Sequence, residues 1–91
     1  MKLQPRLPKD KMPLIFVDLH DGGNFIKDTH GFDLPDKDAV RERLVRIMAK
    51  IARSLSADGD RQDFLAIARE ANGNILFRVH LSLDIEEVDQ P

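Results

Sequence analysis

A small α+β domain, with an antiparallel sheet in β-β-α-β-β order and one amphipathic helix packed on one face, is predicted by three observations. Residues 74–86 alternate strictly, with Ile75, Phe77, Val79, Leu81, Leu83 and Ile85 on one side and Leu76, Arg78, His80, Ser82 and Asp84 on the other, the period of a half-buried strand. Val40, Leu44, Ile47, Met48, Ile51 and Leu55 recur at helical spacing and make one continuous apolar face. The chain has 91 residues, 42% of them hydrophobic and 33% charged, which suits a single globular domain and excludes architectures that need two.

The elements follow in order. Residues 1–11 carry Lys2, Arg6, Lys9 and Lys11 against Asp10 alone, with Pro5 and Pro8, and read as a basic extended arm. Residues 14–19 form a short apolar run rich in strand formers, ended by His20, Asp21, Gly22, Gly23 and Asn24, a reversing turn. Residues 24–27 return as a second strand, and residues 28–31 turn again at Gly31, which can take positive φ. Asp36 is the candidate N-cap of a helix over 37–55, with Asp38 in its first turn and Arg53 near its end. Residues 63–70 pair with the last strand through the Asn72-Gly73 hairpin signal. The domain therefore spans 12–85, and residues 86–91 form an acidic tail with Glu86, Glu87 and Asp89.

Two registers are open for the final hairpin. A two-residue turn at Asn72-Gly73 sets Phe64, Ala66 and Ala68 beside Phe77, Val79 and Leu81, and leaves Leu65, Ile67 and Leu76 on the opposite, uncovered face. A three-residue loop at 71–73 slips the pairing by one and turns Leu65 and Ile67 inward. In either case the last strand outruns a partner that begins at Asp63, so its far half needs another neighbour. That neighbour is either the first strand or a second chain.

Met12 to Phe16, His20-Asp21-Gly22-Gly23, Asp28 with Gly31, and Leu34-Pro35-Asp36 entering a helix follow one another in an order that resembles a family of small alphaproteobacterial proteins. That family is known only as a domain of unknown function (DUF6894-like). The resemblance covers about residues 12 to 85 and implies a compact α+β domain with no catalytic residue to carry over. It also leaves Met12 beside Met1 as a candidate start.

Composition removes several function classes. The absence of cysteine excludes disulfides, a thiol nucleophile and a thiolate zinc site, and makes a reducing cytoplasm the default compartment. No apolar run reaches membrane-spanning length, and a net charge of -2 gives no global pull toward polyanions. His20, His30 and His80 lack metal-ligand spacing, and His20 and His30 are assigned to turns. Asp18, Asp21 and Asp28 lack the order of a calcium loop and read as turn chemistry. Gly22-Gly23 lacks a phosphate-cradle context, and no G-x-S-x-G elbow exists. Neither a cofactor nor an enzymatic activity is expected.

The leading expectation is a non-enzymatic interaction module that forms a homodimer through its sheet edge or open sheet face, with Leu76, Arg78, His80, Leu83 and Ile85 as interaction candidates. The alternative is a regulatory binder of nucleic-acid backbone or of an acidic protein. Arg43, Arg46, Lys50 and Arg53 would supply the stripe of charge on the helix. A variant of that alternative is antitoxin-like, because the sheet, the Asp-Gly-Gly turn and the helix resemble the sheet domain of HicB-type antitoxins.

Overall fold

The computed structural model describes residues 14–89; the basic arm lies outside the described residues. Four antiparallel strands and one helix follow the order β1 (Ile15–Asp21), β2 (Asn24–Ile26), α1 (Lys37–Arg53), β3 (Arg61–Glu70) and β4 (Ile75–Asp84). Spatially the sheet runs β2-β1-β3-β4. The first strand thus lies against β3, not beside the last strand, and β4 forms one edge of the sheet.

Helix α1 begins where the sequence places its cap. Asp36 is extended, and its carboxylate accepts the Ala39 N–H at 2.9 Å, satisfying one of the helix's first free donors. Val40, Leu44 and Met48 are buried against Ile15, Leu34, Ala66 and Ala68, which form the core. Ala66 and Ala68 are fully buried, so the central strand is low where the helix crosses it and the larger side chains come from its neighbours.

Elements of both open hairpin readings occur together. Gly73 N–H donates to the Glu70 carbonyl across a three-residue loop, and Gly73 takes φ +94, a conformation that glycine adopts without a Cβ penalty. This offset is undone within the strands, because Arg69 faces Ile75 while Ala68 faces Phe77. Leu76 is the extra residue, a β-bulge. Beyond it the pairs are Ala66 with Val79 and Phe64 with Leu81.

Two expectations change as a result. Leu76 does not join Leu65 and Ile67 on the uncovered face but packs with Phe77 against the core. Ile75 leaves the row of Phe77 and Val79, because it lies opposite Arg69, and it is exposed. A third change concerns length: β3 starts at Arg61, which pairs with Asp84, so β4 is matched by its hairpin partner along its whole extent.

Candidate interaction surface

Which edges of the sheet are closed is decided by a polar network at β1. Asp18 lies within β1, on the sheet face away from the helix, and is only 6% exposed. Its carboxylate accepts from Arg69 Nε at 2.6 Å and Arg69 Nη2 at 3.2 Å, a bidentate pair joining residues 51 positions apart. The same carboxylate accepts the Asp28 N–H at 2.9 Å, and the Asp28 carbonyl accepts from Arg69. Asp28 in turn accepts three backbone N–H groups, those of Val17, His30 and Gly31, each at 3.0 Å.

These bonds set the acidity of both carboxyls. Burial pushes Asp18 up, but the Arg69 hydrogen bond, the Asp28 N–H and the nearby positive charges outweigh it and hold the group below its ordinary value. Burial likewise raises Asp28, and the N–H groups of Gly31, Val17 and His30 more than compensate. Turn chemistry therefore describes Asp28, whereas Asp18 is a buried strand residue.

The 27–32 segment is thereby fastened to the outer side of β1. Phe32 and Ile15 exchange backbone hydrogen bonds at 2.7 and 3.0 Å, and Val17 N–H is held by Asp28. The short β2 covers residues Leu19 to Asp21. Gly31, at φ +80, fits beneath the Phe16 ring so closely that a Cβ there would meet it at 3.1 Å.

At the opposite edge β4 has no strand beside it among the described residues. The Ile85 N–H donates inward to the Asp60 carbonyl, and the Gly22 N–H donates to the Asp63 carbonyl on the far side of β3. Antiparallel alternation from these two bonds turns the odd residues of β4 toward β3. The backbone N–H and C=O groups of Arg78, His80, Ser82 and Asp84 consequently point outward, away from the sheet.

The predicted interaction residues divide on this frame. Arg78 and His80 are exposed on the face away from the helix. Leu83 is half-buried and Ile85 is 44% exposed, both in the row that continues Phe77, Val79 and Leu81. Leu76 is partly buried and packs against the core.

On the open face, Leu65 lies between His20 and His80, and Ile67 lies between Asp18 and Arg78. His20 is part of β1, not a turn residue, and its ring is 4.5 Å from that of Phe25. Leu65 and Ile67 are half-buried, as is Phe16, over which the Arg69 guanidinium stacks at 4.9 Å.

The helix cations are partly engaged at home. Arg43 lies 4.6 Å over the Phe32 ring, and Arg46 pairs with Glu42 at 3.1 Å; Lys50 and Arg53 are exposed. Lys2, Arg6, Lys9 and Lys11 lie outside the described residues. Among the described residues no three histidine or carboxylate side chains converge on a metal-sized site, and no helix is long and apolar enough to cross a membrane.

The Asp18–Asp28–Arg69 network was missed in sequence because it depends on the β1–β3 register. An unpaired-looking aspartate at the centre of an apolar strand was its only sequence signal.

No curated protein and no solved structure matches the chain. A family model described as Domain of unknown function (DUF6894) matches residues 14–82, taking in β1, β2, α1, β3 and most of β4. The chain belongs to the DUF6894 family.

Proposed function

We propose that the protein is a non-enzymatic interaction module that self-associates as a homodimer through the free edge of β4. The observation that carries this reading is the row of outward backbone groups at Arg78, His80, Ser82 and Asp84, on a strand of ten residues. Edge strands are usually short, covered, bulged, charged or interrupted by proline; β4 has its bulge at Leu76 and the opposite charges Arg78 and Asp84, but beyond the bulge no proline interrupts it and, among the described residues, no strand covers its outer side. The non-enzymatic part rests on how the ionisable groups are used: Asp18, Asp28 and Arg69 are consumed by hydrogen bonds that hold strands and loop together. Binding of a polyanion by Arg43, Arg46, Lys50 and Arg53 is the weaker reading, since two of the four already have partners within the domain.

Sedimentation velocity across a wide concentration range tests the proposal. The expected result is a reversible dimer for the natural chain and a monomer for His80→Pro, which deletes an outward N–H and no bond to β3. Far-UV circular dichroism of the variant should match that of the parent. A natural chain that stays monomeric up to millimolar concentration overturns the reading.

A further inference from the structure

We infer that, resting on this self-association, two copies pair β4 to β4 antiparallel about a two-fold axis at Leu81, with Arg78 of each facing Asp84 of the other. The outward groups belong to even-numbered residues, so hydrogen-bonded pairs across the new edge join even with even. Of the registers this permits, the one centred on Leu81 sets Arg78 opposite Asp84 twice and His80 opposite Ser82 twice. It uses only residues within β4 and beyond the bulge at Leu76 for these pairs.

Neighbouring registers are poorer. Centring on His80 places the two imidazoles face to face and sets Arg78 against Ser82. Centring on Ser82 needs Glu86, which lies past the strand. No ion pair within the described residues engages Arg78, and Asp84 lies opposite Arg61, so it would sit between two guanidinium groups in the pair.

The apolar row supports the same register. Phe77 would meet Ile85, Val79 would meet Leu83, and Leu81 would meet its own copy, covering what the single chain leaves open of four partly buried side chains and of the exposed Ile85.

A second, independent observation comes from α1. Ile47 and Arg43 lie on the helix flank over β1 and Phe32. At about 100° per residue, Val45 falls on the other side of the buried Leu44 stripe, toward β4. Val45 is 62% exposed, and the two-fold brings this flank toward its copy.

The chain has no cysteine, so single introduced thiols read the register directly. Residues on the axis at a pair without hydrogen bonds approach to about 4.5 Å between Cα atoms, within reach of a disulfide. Under mild oxidation Leu81→Cys should cross-link rapidly, and Val79→Cys, His80→Cys and Ser82→Cys slowly. Faster cross-linking of any of the other three overturns the register while a dimeric natural chain leaves the self-association standing.

Charge reversal gives the second arm. Arg78→Asp and Asp84→Arg should each weaken homodimerisation by about tenfold, and an equimolar mixture of the two should dimerise again, because every cross-strand pair is then opposite in sign. A mixture no tighter than the separate variants overturns the pairing. A monomeric natural chain overturns the parent reading and this one with it.

Discussion

Replacing Asp28 with alanine should unfasten the 27–32 segment from β1 and destabilise the domain by about 2–3 kcal/mol. Two of the three N–H groups it accepts, those of Val17 and Gly31, are partly buried, and the third, of His30, is exposed. A hydrogen bond to a charged group contributes about 1.5–3 kcal/mol net; partial exposure brings each of these two down to about 1–1.5 kcal/mol, and water replaces most of the exposed one. For a domain of this size the loss corresponds to a fall in Tm of about 10–20 °C.

The chain has no Trp or Tyr, so equilibrium urea unfolding should be followed by far-UV circular dichroism. Asp28→Asn keeps one acceptor oxygen and should lose about half as much. Thr29→Ala, in the same segment but outside the network, should change little. A change below about 0.5 kcal/mol for Asp28→Ala would refute the argument that this carboxylate holds the β1 edge.

Acid should act through the same groups. Asp18 and Asp28 titrate below their ordinary value of about 3.9, so the unfolded chain takes up protons first. Their contribution is therefore complete above about pH 5 and is lost as pH falls through the lowered values; the urea midpoint should drop on acidification, with a shallower slope for Asp28→Asn. Gly31→Ala combines positive φ with a Cβ 3.1 Å from the Phe16 ring and should cost about 1–3 kcal/mol, read as a shift in urea midpoint. Asp36→Ala removes the cap bond to Ala39 and should cost about 1 kcal/mol in the same measurement. Ala66→Leu places three extra carbons where α1 crosses β3 and should cost about 1–3 kcal/mol in thermal unfolding.

The helix and β4 were legible because each carries its own period, β1 as an apolar run, and β2 and β3 through the turns that join them to β1 and β4; Asp36 and Gly31 marked their positions through local chemistry alone. What local pattern could not supply was the sum of two offsets. The three-residue loop at 71–73 shifts the hairpin one way and the bulge at Leu76 shifts it back, so a hairpin signal read at the turn leaves the faces of Leu65 and Ile67 undetermined.

The same limit hid Asp18. Its meaning depends on Arg69, a residue brought near only when Phe16 is set opposite it across β1 and β3. Of the interaction residues read from sequence, Arg78, His80, Leu83 and Ile85 lie on or beside the β4 edge, and Leu76 was displaced by the bulge.

The fastening of the 27–32 segment has a consequence for assembly. With Val17 held by a carboxylate, Ile15 bridged to Phe32 and only the three residues of β2 beyond, the β1 side of the sheet is blunted, and the proposed pairing leaves β4 as the one side that joins. A body that can add neighbours at both ends grows into a filament; one that adds at a single end, like with like, is finished at two. On the proposed pairing Asp28, far from β4, is in this sense a terminator: loosening it would open a second growing end.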